Sequence, residues 1–167
     1  MSDRQEIFTR WVADFRPMLF RIARAYAATP ADVEDLVQDM LLALWRSLPS
    51  FRGASRPSTW IFRVALRVAL DQRRTMARRI RTQPEAPGNL DRAAADRDTE
   101  VEQIDRLHLS RVLAAIRELP VVDRTVLVLA LEGASLEETA EVVGITAGNA
   151  GVRLHRARRR LVERMGA

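Results

Sequence analysis

Residues 135–161 read SLEETAEVVGITAGNAGVRLHRARRRL, and the punctuation of this stretch decides the fold. Ser135 stands three residues before Glu138, the spacing of a capping box, in which serine and glutamate satisfy backbone N–H groups at a helix start. A short helix follows and ends at Gly144, which takes the left-handed backbone of a tight turn without steric cost. Ile145 plugs the core behind the turn, Ala140 is small where two helices must cross, and Thr146 caps a second helix. The pattern predicts a helix-turn-helix, the unit whose second helix lies in the major groove of DNA. That helix carries Ala150, Leu154, Ala157 and Leu161 on one face and Arg153, Arg156 and Arg160 on another. Asn149 suits the edge of adenine, and Arg153 suits guanine or phosphate. Arg156, Arg159 and Arg160 suit the phosphate backbone. Gly148 and Gly151 leave two positions of the helix without a side chain, so few groups remain to read bases.

Upstream, the periodicity stays helical. Leu109, Val112, Leu113, Ile116 and Leu119 predict a helix that stops at Pro120, and a further helix runs from about Asp123 to Leu131. Residues 82–104 hold two prolines, a glycine and most of the acidic excess, the composition of a linker. The N-terminal part has its own apolar stripes. One runs from Phe8 through Trp11, Phe15, Leu19 and Ile22, with Pro17 inside it predicting a break or kink. Thr29-Pro30 predicts a clean helix start, followed by Val33, Leu36, Val37, Met40, Leu41 and Leu44. The loop PSFRGASRPS, residues 49–58, precedes a third helix from about Thr59. The fold class is all-α: two small helical domains, 1–82 and 105–167, joined by a flexible linker over 83–104.

The charge is unevenly spread. Residues 51–83 carry nine arginines against Asp71 alone, residues 84–105 carry seven acids against two arginines, and residues 152–167 carry six arginines against Glu163. Two basic blocks are thus separated by an acidic stretch. With no cysteine, disulfides and thiolate metal sites are excluded; only His108 and His155 could supply imidazole ligands and they lie far apart in sequence, so no cofactor or metal is expected. No paired nucleophile and base, phosphate loop or carboxylate dyad stands out, so the chain does not read as an enzyme. It begins without a signal peptide's apolar core, and no apolar run is long enough to span a bilayer. A cytoplasmic protein without membrane insertion is the expectation.

Three segments in order carry a resemblance: DVEDLVQDMLLALWRSLPSFRG at 32–53, TWIFRVALRVALDQRR at 59–74, and the stretch quoted at the outset. Together they resemble the bacterial extracytoplasmic-function (ECF) sigma factors, from about residue 6 to 165. The resemblance implies an N-terminal sigma-2 domain that docks on core RNA polymerase and opens the −10 element of a promoter. It implies a C-terminal sigma-4 domain that reads the −35 element, with the β′ clamp coiled coil, the β flap, promoter DNA and an anti-sigma factor as partners. Asp35, Gln38 and Asp39 match the segment that grips the β′ coiled coil, and with Asp32 they form an acidic stripe suited to basic helices. The loop and following helix match the part that captures a flipped base, for which Phe51, Arg52, Thr59 and Trp60 supply walls and stacking surfaces. Arg63, Arg67, Arg73 and Arg74, continued by Arg78 and Arg79, then make a basic helix for the melted strand or the upstream duplex. Thr146, Asn149, Arg153, Arg156 and Arg160 form the −35 set.

The chain departs from the family pattern at three places. Arg67 stands where asparagine is common and can only donate hydrogen bonds, Ala150 replaces an aliphatic plug, and Gly151 replaces a frequent basic residue. Arg67 bears on the usual −10 base preference, whereas Ala150 and Gly151 thin the −35 reading surface, so polymerase docking and −10 recognition would carry more of the specificity. Two other readings stand beside this one. A stand-alone helix-turn-helix regulator would bind duplex DNA without polymerase, and a polymerase- or anti-sigma-binding module would occupy its partner without initiating.

Overall fold

A computed structural model of the chain describes residues 3–82 and 100–166 of the backbone and the side chains of 3–78 and 105–166. Among the described residues there are seven α-helices, one 3-10 turn and no strand, the all-helical class that the periodicity predicts. The chain divides into two units, Met1–Ala86 and Pro87–Ala167. The segment 83–99, most of the predicted linker, lies outside the described residues.

The first unit holds α1 (Asp3–Tyr26), α2 (Pro30–Ser47) and α3 (Pro57–Thr82), with the 3-10 turn Leu48–Ser50 after α2. The three helices pack pairwise, and Leu19, Ile22, Leu36, Met40 and Ile61 fill the space between them. Helix α1 runs unbroken past Pro17, contrary to the predicted interruption. The proline costs roughly 3 kcal/mol at a helix interior. However, Pro17 is exposed while Trp11, Met18, Leu19 and Ile22 are buried on both sides of it, and burial of large apolar side chains at about 1.5–3 kcal/mol each outweighs the loss. Helix α2 starts where Thr29-Pro30 predicts. Thr29 accepts from the Asp32 backbone N–H at 3.1 Å, and Asp32 accepts in return from the Thr29 backbone N–H at 3.3 Å and hydroxyl at 2.7 Å.

The second unit holds α4 (Glu100–Glu118), α5 (Val121–Leu131), α6 (Leu136–Val143) and α7 (Ala147–Met165). Helix α4 begins at Glu100, five residues inside the segment read as linker. The turn chemistry is as the sequence predicts. Ser135 and Glu138 close a capping box, Gly144 is left-handed at φ 76° and ψ 38°, and Thr146 accepts from the Asn149 backbone N–H. Helix α7 is continuous through Gly148 and Gly151. It packs on α4, α5 and α6, with Ala150 and Ala157 wholly buried in those contacts.

Candidate polymerase and promoter interfaces

In the first unit, the capping box decides which aspartates of α2 are at liberty. Asp32 is turned back onto Thr29, whereas Asp35, Gln38 and Asp39 are exposed. Asp35 and Asp39 line a groove of about 600 Å³ between α2 and α3, with Asp71 on the opposite wall and half-exposed Leu42 and Met76 beside them. Asp71 meets Arg74 at 3.4 Å across one helical turn, an exposed pair of little energetic weight. Arg46 is the one cation among the described lining residues against Asp32, Asp35, Asp39 and Asp71, so the groove carries a net excess of carboxylates flanked by apolar side chains, a chemistry that complements a basic helix with an apolar edge.

The aromatic residues singled out from the loop region form a cluster. Phe51 lies edge-on to Trp11 with ring centroids 5.0 Å apart, Trp60 lies 5.3 Å from Phe51, and Trp11 and Trp60 are 5.7 Å apart. Thr59 is buried, while Arg52, Arg63, Arg67, Arg73 and Arg74 are exposed. Trp11, read from the sequence only as part of an apolar stripe, is the third wall. A cleft of about 450 Å³ opens beside it, lined by Arg4, Ile7, Arg10, Trp11, Leu48 and Phe51 among others. Its aromatic and guanidinium lining suits a base and its phosphate.

In the second unit, the arginines of α7 converge on one residue that sequence reasoning missed. Asp123 of α5 is 1% exposed and accepts from Arg153 Nη1 at 2.8 Å, Arg156 Nε at 3.1 Å and Arg160 Nη1 at 3.2 Å. Arg156 Nη2 adds a second bond at 3.2 Å. Burial by itself would push the Asp123 carboxyl up, but the hydrogen bonds and charges of Arg156 and Arg153 outweigh it and hold the group below the usual carboxylate range. Arg153 reaches further, donating through Nε to the Asn149 side-chain oxygen at 3.1 Å. Thr146 and Asn149 are exposed at the helix start, while Arg153, Arg156 and Arg160 are partly covered. Arg159 pairs with Glu163 at 3.3 Å on the exposed side. The signal for Asp123 was present in the sequence: α5, VVDRTVLVLAL, is apolar on nearly every side, so an acid within it must find a cationic partner. Which partner it finds is a tertiary fact.

A capped, glycine-turned helix pair with an arginine-rich second helix, in a chain with a separate three-helix unit, defines a DNA-binding transcription protein by fold. Comparison with known proteins is more specific. Residues 11–79 match Sigma-70 region 2, and residues 109–161 match Sigma-70 region 4. The chain is 33% identical over 149 residues to the ECF RNA polymerase sigma factor SigM of Mycobacterium tuberculosis, covering 89% of this chain and 71% of that protein. It is 33% identical over 168 residues to the RNA polymerase sigma factor CnrH of Cupriavidus metallidurans, covering 96% and 87%. Among solved structures, it is similar to CnrH in complex with the cytosolic domain of CnrY (TM-score 0.71, 28% identity, 97% and 89% coverage). It is also similar to the sigma factor RpoE in complex with the anti-sigma factor NepR from Bartonella quintana (TM-score 0.77, 25% identity, 97% and 98% coverage). The chain belongs to the ECF sigma factors: it is a transcription initiation factor that binds core RNA polymerase and directs it to promoters. The stand-alone regulator and the non-initiating module are not favoured, because region 2 and region 4 occur together and in order. Among the described residues no helix is long and apolar enough to cross a membrane.

Proposed function

We propose a division of this activity between the two units and among named side chains. The first unit, within residues 1–82, docks on the β′ clamp coiled coil through Asp35, Gln38 and Asp39 of the acidic groove. It engages the −10 element through Phe51, Arg52, Thr59, Trp60, Arg63, Arg67, Arg73 and Arg74. Within that set, the exposed arginines hold the strand, and Phe51 and Trp60 offer rings on which a base can stack. The second unit, within residues 105–167, engages the −35 element through Thr146, Asn149, Arg153, Arg156 and Arg160, with Asn149 the group best placed to meet a base edge, and contacts the β flap. Residues 83–104 connect the two functions. The protein acts in the cytoplasm with no enzymatic activity of its own, the polymerase performing the chemistry. An anti-sigma factor restrains it, a reading supported by the NepR complex of its RpoE relative.

The observation that carries this reading is the left-handed turn at Gly144, which sets a capped helix start bearing Thr146 and Asn149 at the surface beside an arginine row. Run-off transcription with the full chain and core polymerase tests it. Initiation at promoters sharing a −35 and a −10 element is the expected result. Stable polymerase binding without initiation would instead support the module reading.

A further inference from the structure

The arginine row and the base-reading end of α7 are joined by a chain of hydrogen bonds that begins in the core. Asp123 is buried on α5 and takes four bonds from Arg153, Arg156 and Arg160. Arg153 uses one edge of its guanidinium for Asp123 and Nε for Asn149, so a single rigid fork bridges a buried carboxylate and an exposed carboxamide. A guanidinium has donors only, so the Asn149 atom that faces it is necessarily the carbonyl oxygen. The amide nitrogen, with its two N–H donors, is the other end, and it meets no partner among the described residues. Asn149 lies in the first turn of α7, three residues after the N-cap Thr146, at the end of a helix-turn-helix that contacts base edges.

We propose that Asp123 is a positioning residue for base reading: through Arg153 it fixes the Asn149 carboxamide with its N–H donors outward, toward the DNA. This rests on the reading of α7 as the −35 helix. A free asparagine can turn over and offer either a donor or an acceptor. A fixed one offers donors first, and its base pair must present a major-groove acceptor there: purine N7, guanine O6 or thymine O4. A cytosine N4 amino group at that place is rejected. The same four bonds draw Arg153, Arg156 and Arg160 away from phosphates, so Asp123 also lowers the share of binding that is indifferent to sequence.

The experiment is a selection of promoters randomised across the −35 element with reconstituted holoenzyme at two salt concentrations. The variants are Asn149→Ala, Asp123→Asn and Arg153→Met. Asn149→Ala should flatten one base pair, cutting a preference of about fivefold or more to under about twofold. Asp123→Asn and Arg153→Met should flatten the same base pair, and Asp123→Asn combined with Asn149→Ala should add nothing there. Asp123→Asn should also steepen the log–log salt dependence, by about 0.9 for each arginine released onto a phosphate. A purely structural role would lower the active fraction equally for every promoter and leave both base preference and slope unmoved; that result overturns the proposal. So does flattening of a different base pair by Arg153→Met, which would make Arg153 a reader itself. Should Asp123→Asn fail to fold, Arg153→Met decides, since Asp123 then keeps Arg156 and Arg160. Wild-type holoenzyme that initiates with no preference in this element would overturn the −35 assignment itself, and with it the proposal.

Discussion

The aspartates of α2 and the aspartate of α5 are the same side chain put to opposite uses. Asp35 and Asp39 stand in water on the wall of a groove and make no ion pair among the described residues. Asp123 is 1% exposed and ties three arginines of α7. A solvated carboxylate contributes little to folding, so its charge stays available to a partner. A buried one is bound up with the fold, because a carboxylate out of water is tolerable only while its cations remain. On the proposed assignment, interface and scaffold are thus separable on α2 and fused on α7.

The largest effect should come from breaking that fusion. Asp123→Ala leaves three guanidiniums without their shared anion, and should destabilise the second unit by about 2–3 kcal/mol in denaturant unfolding. That is less than for a wholly buried pair, because Arg156 and Arg160 can swing toward water. The pH dependence has a definite sign. The folded-state carboxyl lies below its unfolded value, so the ionised form is what stabilises. The contribution is complete above the unfolded value and is lost as pH falls through the folded one. The stability lead of wild type over Asp123→Ala should therefore shrink below about pH 4. A lead unchanged from pH 6 to pH 3 would show that the Asp123 charge is not what holds the arginines.

The converse holds for α2. Replacing Asp35 and Asp39 together by arginine should weaken core polymerase binding by about 10–100-fold, since like charges across an interface are costly. Stability should change by no more than about 0.5 kcal/mol, as for other surface positions. Unchanged affinity in a direct binding assay would remove the acidic groove from the interface. A collapse of helicity would show that these residues belong to the scaffold after all.

Much of this contrast lay in the sequence, and the part that did not has a physical cause. The Thr29-Pro30 start, the capping box at Ser135, the Gly144 turn and the Thr146 cap are short-range chemistry, set by residues three or four apart, whereas the return bond from Thr29 to Asp32 comes from the structure. Periodicity then supplied the buried faces. Pro17 does not break α1, because tertiary burial on both sides outweighs the local cost of the proline. The convergence of Arg153, Arg156 and Arg160 on Asp123, and of Trp11 on Phe51 and Trp60, brings together residues far apart in sequence. Helical spacing names the face on which an arginine lies. It does not name what packs against that face.

A smaller effect probes whether the tied arginines still reach DNA. Arg160 is held by one bond to Asp123, whereas Arg156 is held by two. Arg160→Ala should therefore flatten the salt dependence of promoter binding more than Arg156→Ala, up to about 0.9 in log–log slope for one lost phosphate contact. Both should weaken binding about equally across promoter sequences. Equal slopes for both variants and wild type would mean that Asp123 keeps the pair off the phosphates altogether.

The smallest change is at Gly151, where the second unit lacks a charge that Asp123 could not hold in any case. A Cβ built there meets only the Leu136 side chain, at 3.5 Å, an ordinary contact that closes the seam between α6 and α7 without pushing it apart. Gly151→Ala should thus stabilise the unit by about 0.5–1 kcal/mol through helix propensity, with base preference and salt slope unchanged. Gly151→Lys should retain most of that gain, its stem lying along Leu136 while the ammonium reaches water or phosphate. Promoter binding should then tighten with a slope steeper by up to about 0.9 and a narrower spread of affinities between sequences. The alanine variant separates the two causes, because it supplies the propensity without the charge. Destabilisation by alanine would mean that α6 and α7 need the bare glycine to pack. Tighter binding by lysine with an unchanged slope would place position 151 away from the phosphates, and the gain would then belong to the helix rather than to the DNA contact.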